Sequence, residues 1–147
     1  MFFTRLRRQI FAYGTVLLLA WLAYWWFWGR HLYLVTAYCN CPICIDVKKY
    51  RDSRFASGKQ IYWGGIAADP HVPLGSRVDL VPEWPQDWWA VFRILRGRRK
   101  FIVEDRGGKI KGRHVDVFIP QRLGGHKTAL KWGVHRMRIK VNGRLAE

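Results

Sequence analysis

The sequence predicts a mainly β protein: a small six-stranded closed barrel with one short helix, preceded by a single N-terminal transmembrane helix. Three observations predict it. Beyond residue 31 the chain falls into short stretches rich in β-branched and aromatic residues, each bounded by Gly, Pro or charged turn residues. A single stretch near the C-terminus has helical character with a glycine stop. The first thirty residues differ in composition from the rest, so the 147 residues divide into a membrane segment and one domain with one core.

Residues 1–9 are a basic N-terminus carrying Arg5, Arg7 and Arg8. Residues 10–29 carry no charge and match the ~20 residues that cross a hydrocarbon core. Positive charge before such a run stays cytoplasmic, which places the remainder outside the cytoplasm. Trp21, Trp25, Trp26 and Trp28 crowd the far end, where indole rings favour the outer interface. No small-x-small cleavage site precedes Arg30, so the run reads as an uncleaved single-pass anchor in the bacterial cytoplasmic membrane rather than a signal peptide.

The extracytoplasmic domain spans residues 31–147. Strands are expected over Leu32–Tyr38, Ile61–Ala68, Arg77–Val81, Lys100–Asp105, Arg113–Ile119 and Val134–Val141. The last alternates most cleanly, with His135, Met137, Ile139 and Val141 on one face and Val134, Arg136, Arg138 and Lys140 on the other. A helix is expected over His126–Trp132, stopped by Gly133. Residues 83–99 interrupt the rhythm as an insertion holding Trp84, Trp88, Trp89 and Phe92, followed by Arg96, Arg98 and Arg99. It reads as a loop whose aromatics cover the end of the barrel, with a surface against membrane or sugar rings as the alternative.

The formal net charge is +16, and four arginines in the first thirty residues leave +12 on the domain. Such a charge draws the domain to anionic polymers: phospholipid headgroups, teichoic acids, lipopolysaccharide or the carboxylates of peptidoglycan. The predicted topology excludes nucleic acid as a partner. Cys39, Cys41 and Cys44 lie within six residues in a compartment where thiols oxidise, so one disulfide and one free thiol are expected. A metal cluster would need a fourth ligand such as His31 or His71, and Cys-x-Cys-x-x-Cys without a second cysteine pair is a weak zinc signal. The reading therefore assigns no metal ligand and no cofactor.

Seven Asp and three Glu are few for this chain, yet Asp69, Asp105 and Asp116 sit in glycine-flanked, otherwise apolar segments. Burial there resists ionisation, so a carboxyl can keep a proton at neutral pH and donate it to a leaving oxygen. A turn cap or a salt-bridge partner is the competing role for any one of them. Alternation puts His114, Asp116 and Phe118 on one strand face. Nothing pairs His114 with a nucleophile, which makes it a binding group.

The segments WGGIAADPHVPLGSRV (Trp63–Val78), VEDRGGKIKGRHVDVF (Val103–Phe118) and ALKWGV (Ala129–Val134), with Thr36-Ala-Tyr38 and Ala56-Ser-Gly58, resemble the 3D (three-aspartate) domain over roughly residues 34–142. That family is similar to the catalytic domain of MltA-type lytic transglycosylases, and the resemblance implies a double-psi β-barrel acting on peptidoglycan. It implies Asp116 as the catalytic acid in the Gly-Gly-x-Ile-Lys-Gly-x-x-x-Asp arrangement, with Asp105 and Asp69 completing the acidic site. The reaction implied is lytic cleavage of the β-1,4 bond between N-acetylmuramic acid and N-acetylglucosamine, forming a 1,6-anhydro ring. An inverting hydrolase and a non-catalytic wall-binding module are the alternatives. Thr36, Tyr38, Ser57, Lys111 and His114 are candidate sugar contacts, and Gly64, Gly107 and Gly108 either admit a glycan strand or serve turns. Three departures stand out: Arg106 where Thr is usual, Phe55 for a common Thr, and the long 83–99 insertion. Arg106 would help ionise Asp105 if its side chain turned inwards.

Overall fold

A computed structural model describes residues 13–24, 26, 31–45 and 54–146. Contacts divide the chain into two units, residues 1–31 and residues 32–147. In the first, residues 13–24 are helical. The expected basic N-terminus (1–9) lies outside the described residues, and so do both ends of the expected span (10–29). Among the described residues no helix is long and apolar enough to cross a membrane.

The second unit is built from β1 (Tyr33–Tyr38), β2 (Gly65–Ala68), β3 (Arg77–Val81), α1 (Pro85–Arg93), β4 (Lys100–Asp105), β5 (His114–Phe118), α2 (Gly125–Trp132), β6 (His135–Val141) and β7 (Arg144–Leu145). The strand order is β1-β5-β2-β4-β3-β6-β7, and β1 also pairs with β6, so six strands close into a barrel and β7 extends β6 as a hairpin. β1–β5 and β2–β4 are parallel; every other pair is antiparallel.

Strand alternation fills the interior. Val35, Ile66, Leu80, Val103, Val115, Val117, Met137 and Ile139 are fully buried in one cluster. Each such side chain contributes about 1.5–3 kcal/mol by leaving water. The opposite faces of β1, β2 and β5 are covered by a second, smaller cluster of Tyr38, Phe55, Ala67, Ile110 and Phe118. Phe55 comes from the segment between β1 and β2 and lies against Gly65, where an added Cβ would stand 2.3 Å from its ring. The ring therefore requires glycine at 65.

Two elements differ from expectation. The second strand begins at Gly65 rather than Ile61, because residues 63 and 64 turn and Gly64 takes φ 129°. The 83–99 insertion holds a helix. Pro85 opens α1 with its fixed φ, Asp87 occupies the first turn where the helix dipole favours an anion, and Ala90, Val91 and the following Leu95 are buried. His135 Nδ1 bonds Asp87 Oδ1 at 2.7 Å and so ties α1 to β6. The expectation that the insertion's aromatics cap the barrel is corrected: Trp84, Trp88, Trp89 and Phe92 are 48–68% exposed, and small residues make the contact instead. Arg93 and Arg99 lie over the Trp89 and Trp88 rings at 4.8 and 5.3 Å. α2 packs on β1, where the buried Trp132 Nε1 donates to the Val35 carbonyl at 3.1 Å, and Gly133 with φ 69° ends it.

Candidate active site

Thr36, Tyr38, Asp105, His114 and Asp116 gather on the outer face of the barrel. Parallel pairing sets Thr36 of β1 beside Asp116 of β5 and Tyr38 beside Phe118, while antiparallel pairing sets Ala67 of β2 beside Asp116. The β2–β4 ladder shifts register between Ile66 and Ala67: Ile66 pairs with Val103, but Ala67 pairs with Asp105. Glu104 is the extra residue. The shift brings Asp105 to the outer face that Ala67 shares with Asp116, where strict alternation from the buried Val103 would have turned it to the core.

Thr36 Oγ1 donates to Asp116 Oδ1 at 2.7 Å and lies 2.8 Å from His114 Nε2. A hydroxyl has one proton, so with Asp116 as acceptor His114 donates to Thr36 and the three groups form a directed chain. Burial pushes the Asp116 carboxyl up to about 6, the charge of Asp105 adds to the rise, and the Thr36 hydrogen bond opposes it. Burial also lowers His114 below the usual imidazole range.

Asp105 accepts three hydrogen bonds: from the Tyr38 hydroxyl at 2.6 Å, the Ala56 amide at 3.0 Å and the Arg106 amide at 2.9 Å. Burial and then the Asp105 charge hold Tyr38 well above the ordinary phenol range, which keeps it a donor. Tyr38, Asp105, Arg54, Phe55, Ala56 and Phe118 help line an open cleft of about 480 Å³. The Arg106 guanidinium does not turn towards the Asp105 carboxylate. It donates to the carbonyls of Ala68 at 3.1 Å and Val72 at 2.6 Å, clamping the turn after β2.

Asp69 is committed elsewhere. It accepts from the amide of His71 at 2.8 Å, from His71 Nδ1 at 2.5 Å and from the Gly112 amide at 2.5 Å. These bonds lower its carboxyl to about 2, the His71 amide contributing most. It joins the turn after β2 to the loop before β5.

The remaining candidates are dispersed. Ser57 sits in the segment over the cleft, with its amide bonded to the Glu104 carbonyl at 2.9 Å. Gly107 and Gly108 form the turn after β4, with Gly107 against Ile110, and Lys111 is exposed in the same loop. Gly64 lines a different cleft of about 790 Å³, together with Arg77, Arg98, Lys100 and Lys140. Sequence reasoning missed Glu104, whose buried side chain takes hydrogen bonds from Lys59 Nζ at 2.6 Å and the Tyr62 hydroxyl at 2.9 Å. Burial alone would raise its carboxyl, but bonds from Lys59, Ser57 and Tyr62 bring it below the ordinary value. The adjacent pair Glu104-Asp105 at a strand end was the available signal.

The three cysteines are free thiols, which corrects the expected disulfide. Cys39 Sγ lies 3.0 Å from Cys41 Sγ and 3.5 Å from Cys44 Sγ; His126 Nδ1 lies 3.7 Å from Cys41 Sγ and 3.2 Å from Cys44 Sγ. The histidine beside them is thus His126 of α2; of the two expected from sequence, His71 is engaged with Asp69. These four residues could hold a metal ion.

The barrel is similar to crystal structures of MltA from E. coli: 22% identity and TM-score 0.40 over 61% of this chain and 27% of that one, and, with bound chitohexaose, 24% identity and TM-score 0.41 over 60% and 26%. Among characterised sequences, the cell wall-binding protein YocH of Bacillus subtilis is 35% identical over 77 residues, which are 52% of this chain and 20% of YocH. This chain thus spans about a fifth of that relative's length. The 3D domain family model matches residues 64–142, just over half of the sequence, from the turn before β2 to the end of β6, and includes all three aspartates. The chain belongs to the 3D domain family.

Proposed function

We propose that the protein is a peptidoglycan lytic transglycosylase with Asp116 as its single acid/base. The observation that carries this reading is the buried Asp116 carboxyl, raised to about 6 near Asp105, the carboxylate that helps line the open cleft. A group titrating there is half protonated at about pH 6 and keeps a minor protonated fraction at pH 7, so it can both give and take a proton, as a general acid that must later act as base requires. Membership of the 3D domain family and the likeness to a protein named for wall binding favour peptidoglycan as the substrate. The two parallel strand pairs within the closed barrel fit the double-psi form expected for the family.

In this mechanism protonated Asp116 gives its proton to the glycosidic oxygen as the bond to the muramic anomeric carbon breaks. The resulting carboxylate then takes the proton of the sugar's own C6 hydroxyl, whose oxygen bonds to that carbon and closes the anhydro ring. One acid/base suffices because the nucleophile is intramolecular. Asp105, fixed by Tyr38, Ala56 and Arg106, adds to the rise that burial gives Asp116 and offsets positive charge developing on the ring. Thr36 and His114 orient Asp116. Asp69 sets the loop that carries Lys111. The uncharged run 10–29 anchors the domain outside the cytoplasmic membrane, and a C-terminal topology reporter tests that part separately.

The test is digestion of purified sacculi with the full chain and with Asp116→Asn, with mass analysis of the products. Anhydro-muropeptides from the wild type alone are expected. Reducing ends, heavier by one water, would replace the transglycosylase by an inverting hydrolase. Binding without soluble fragments would leave a wall-binding module, the reading that the +12 domain charge and the exposed aromatics of α1 favour.

A further inference from the structure

We propose that Cys39, Cys41, Cys44 and His126 bind one zinc ion in a closed, four-coordinate structural site. Their ligand atoms all lie within 4.8 Å of one another. Tetrahedral bonds of about 2.3 Å to sulfur and about 2.0–2.1 Å to nitrogen place sulfurs about 3.8 Å apart and sulfur about 3.5 Å from nitrogen. The observed sulfur–nitrogen separations of 3.2 and 3.7 Å bracket that value, and the sulfur pairs at 3.0 and 3.5 Å need only small outward movements. A disulfide would require about 2.05 Å, which no pair approaches.

The backbone is arranged for convergence. The amides of Cys44 and Ile45 both donate to the Cys41 carbonyl at 3.1 Å, a turn that brings the Cys41 and Cys44 side chains together. Gln121 Nε2 donates to the Asn40 carbonyl at 3.2 Å, drawing the same loop to the segment before α2. His126 arrives from the first turn of α2, where the helix dipole favours neighbouring thiolates. Apolar contact holds only the end of the loop, where Cys44 and Ile45 pack against the smaller cluster, while Ile43 is 79% exposed. Three soft thiolates and an imidazole in this geometry select zinc, and four protein ligands leave no open position, which makes the site structural rather than catalytic. It would fasten the exit of β1 to α2, with Tyr38, the Asp105 partner, next in sequence to a ligand.

The test uses the full chain purified under reducing conditions, with metal content by atomic emission and cobalt(II) titration by absorption. One zinc per chain is expected, together with the visible bands of tetrahedral cobalt and thiolate-to-cobalt charge transfer. His126→Ala should weaken zinc at least about tenfold in competition with a chelator. His126→Cys should restore tight binding and add charge-transfer intensity, which keeps the fourth ligand testable if His126→Ala does not fold. Zinc well below one per chain, a disulfide in the purified protein, or cobalt spectra and affinity unchanged in both His126 variants would overturn the assignment.

Discussion

Asp116→Asn is expected to stabilise the fold at neutral pH while it removes the acid/base of the proposed reaction. The Asp116 carboxyl is raised from an ordinary 3.8 to about 6, chiefly by burial. A carboxyl whose value is higher in the folded than in the unfolded state gives its stabilisation fully below the unfolded value and loses it as pH rises through the folded one. The separation of about two pH units, at ~1.4 kcal/mol each, makes the ionised side chain cost up to about 3 kcal/mol above pH 7. Asparagine keeps an oxygen for the Thr36 hydroxyl and carries no charge towards Asp105. Urea unfolding of wild type and variant across about pH 4 to 8 should therefore show a gap that is small at the acid end, opens through about pH 6 and approaches 3 kcal/mol, equivalent to roughly 10 °C in Tm. A pH-independent difference, or a variant less stable at pH 8, would refute the claim that Asp116 is strained by ionisation.

Asp105→Asn removes the neighbouring charge that helps raise Asp116, so the alkaline limb of the pH–rate profile on sacculi should move to lower pH; an unmoved limb denies the coupling. Asp69, lowered to about 2, contributes stability that is present above its ordinary value and lost as pH falls towards 2. The Asp69→Asn variant should accordingly be less stable at pH 7 and approach the wild type in acid, as measured by Tm against pH. Glu104→Ala strips the Tyr62 hydroxyl and Lys59 of their shared acceptor and should cost about 2 kcal/mol in denaturant unfolding; a loss below about 0.5 kcal/mol would show that water replaces the bonds.

Period-two patterning located six barrel strands within a few residues, because buried positions on β1, β5 and β6 alternate as the chain does. It also paired His114 with Asp116 on one face, since that relation is local. Thr36 beside Asp116 depends on a parallel register across 80 residues, which no local pattern specifies. α1 was hidden because its buried side is made of Asp87, Ala90 and Val91, while the conspicuous tryptophans face outward. His126 was invisible as a neighbour of the cysteines for the same long-range reason, 82 residues from Cys44. Asp69 was legible as unusual, but sequence could not show that backbone amides occupy its carboxylate.

The register shift opposite Ala67 makes proximity of the two acids a property of chain length as well as of residue identity. Lengthening β2 by one residue opposite Glu104 would restore a one-to-one register, preserve every aspartate in an alignment and yet turn Asp105 to the core, out of line with Asp116. Relatives that keep the three aspartates but carry that extra residue in β2 are therefore expected to lack the approach of Asp105 to Asp116 on which the proposed cleavage rests.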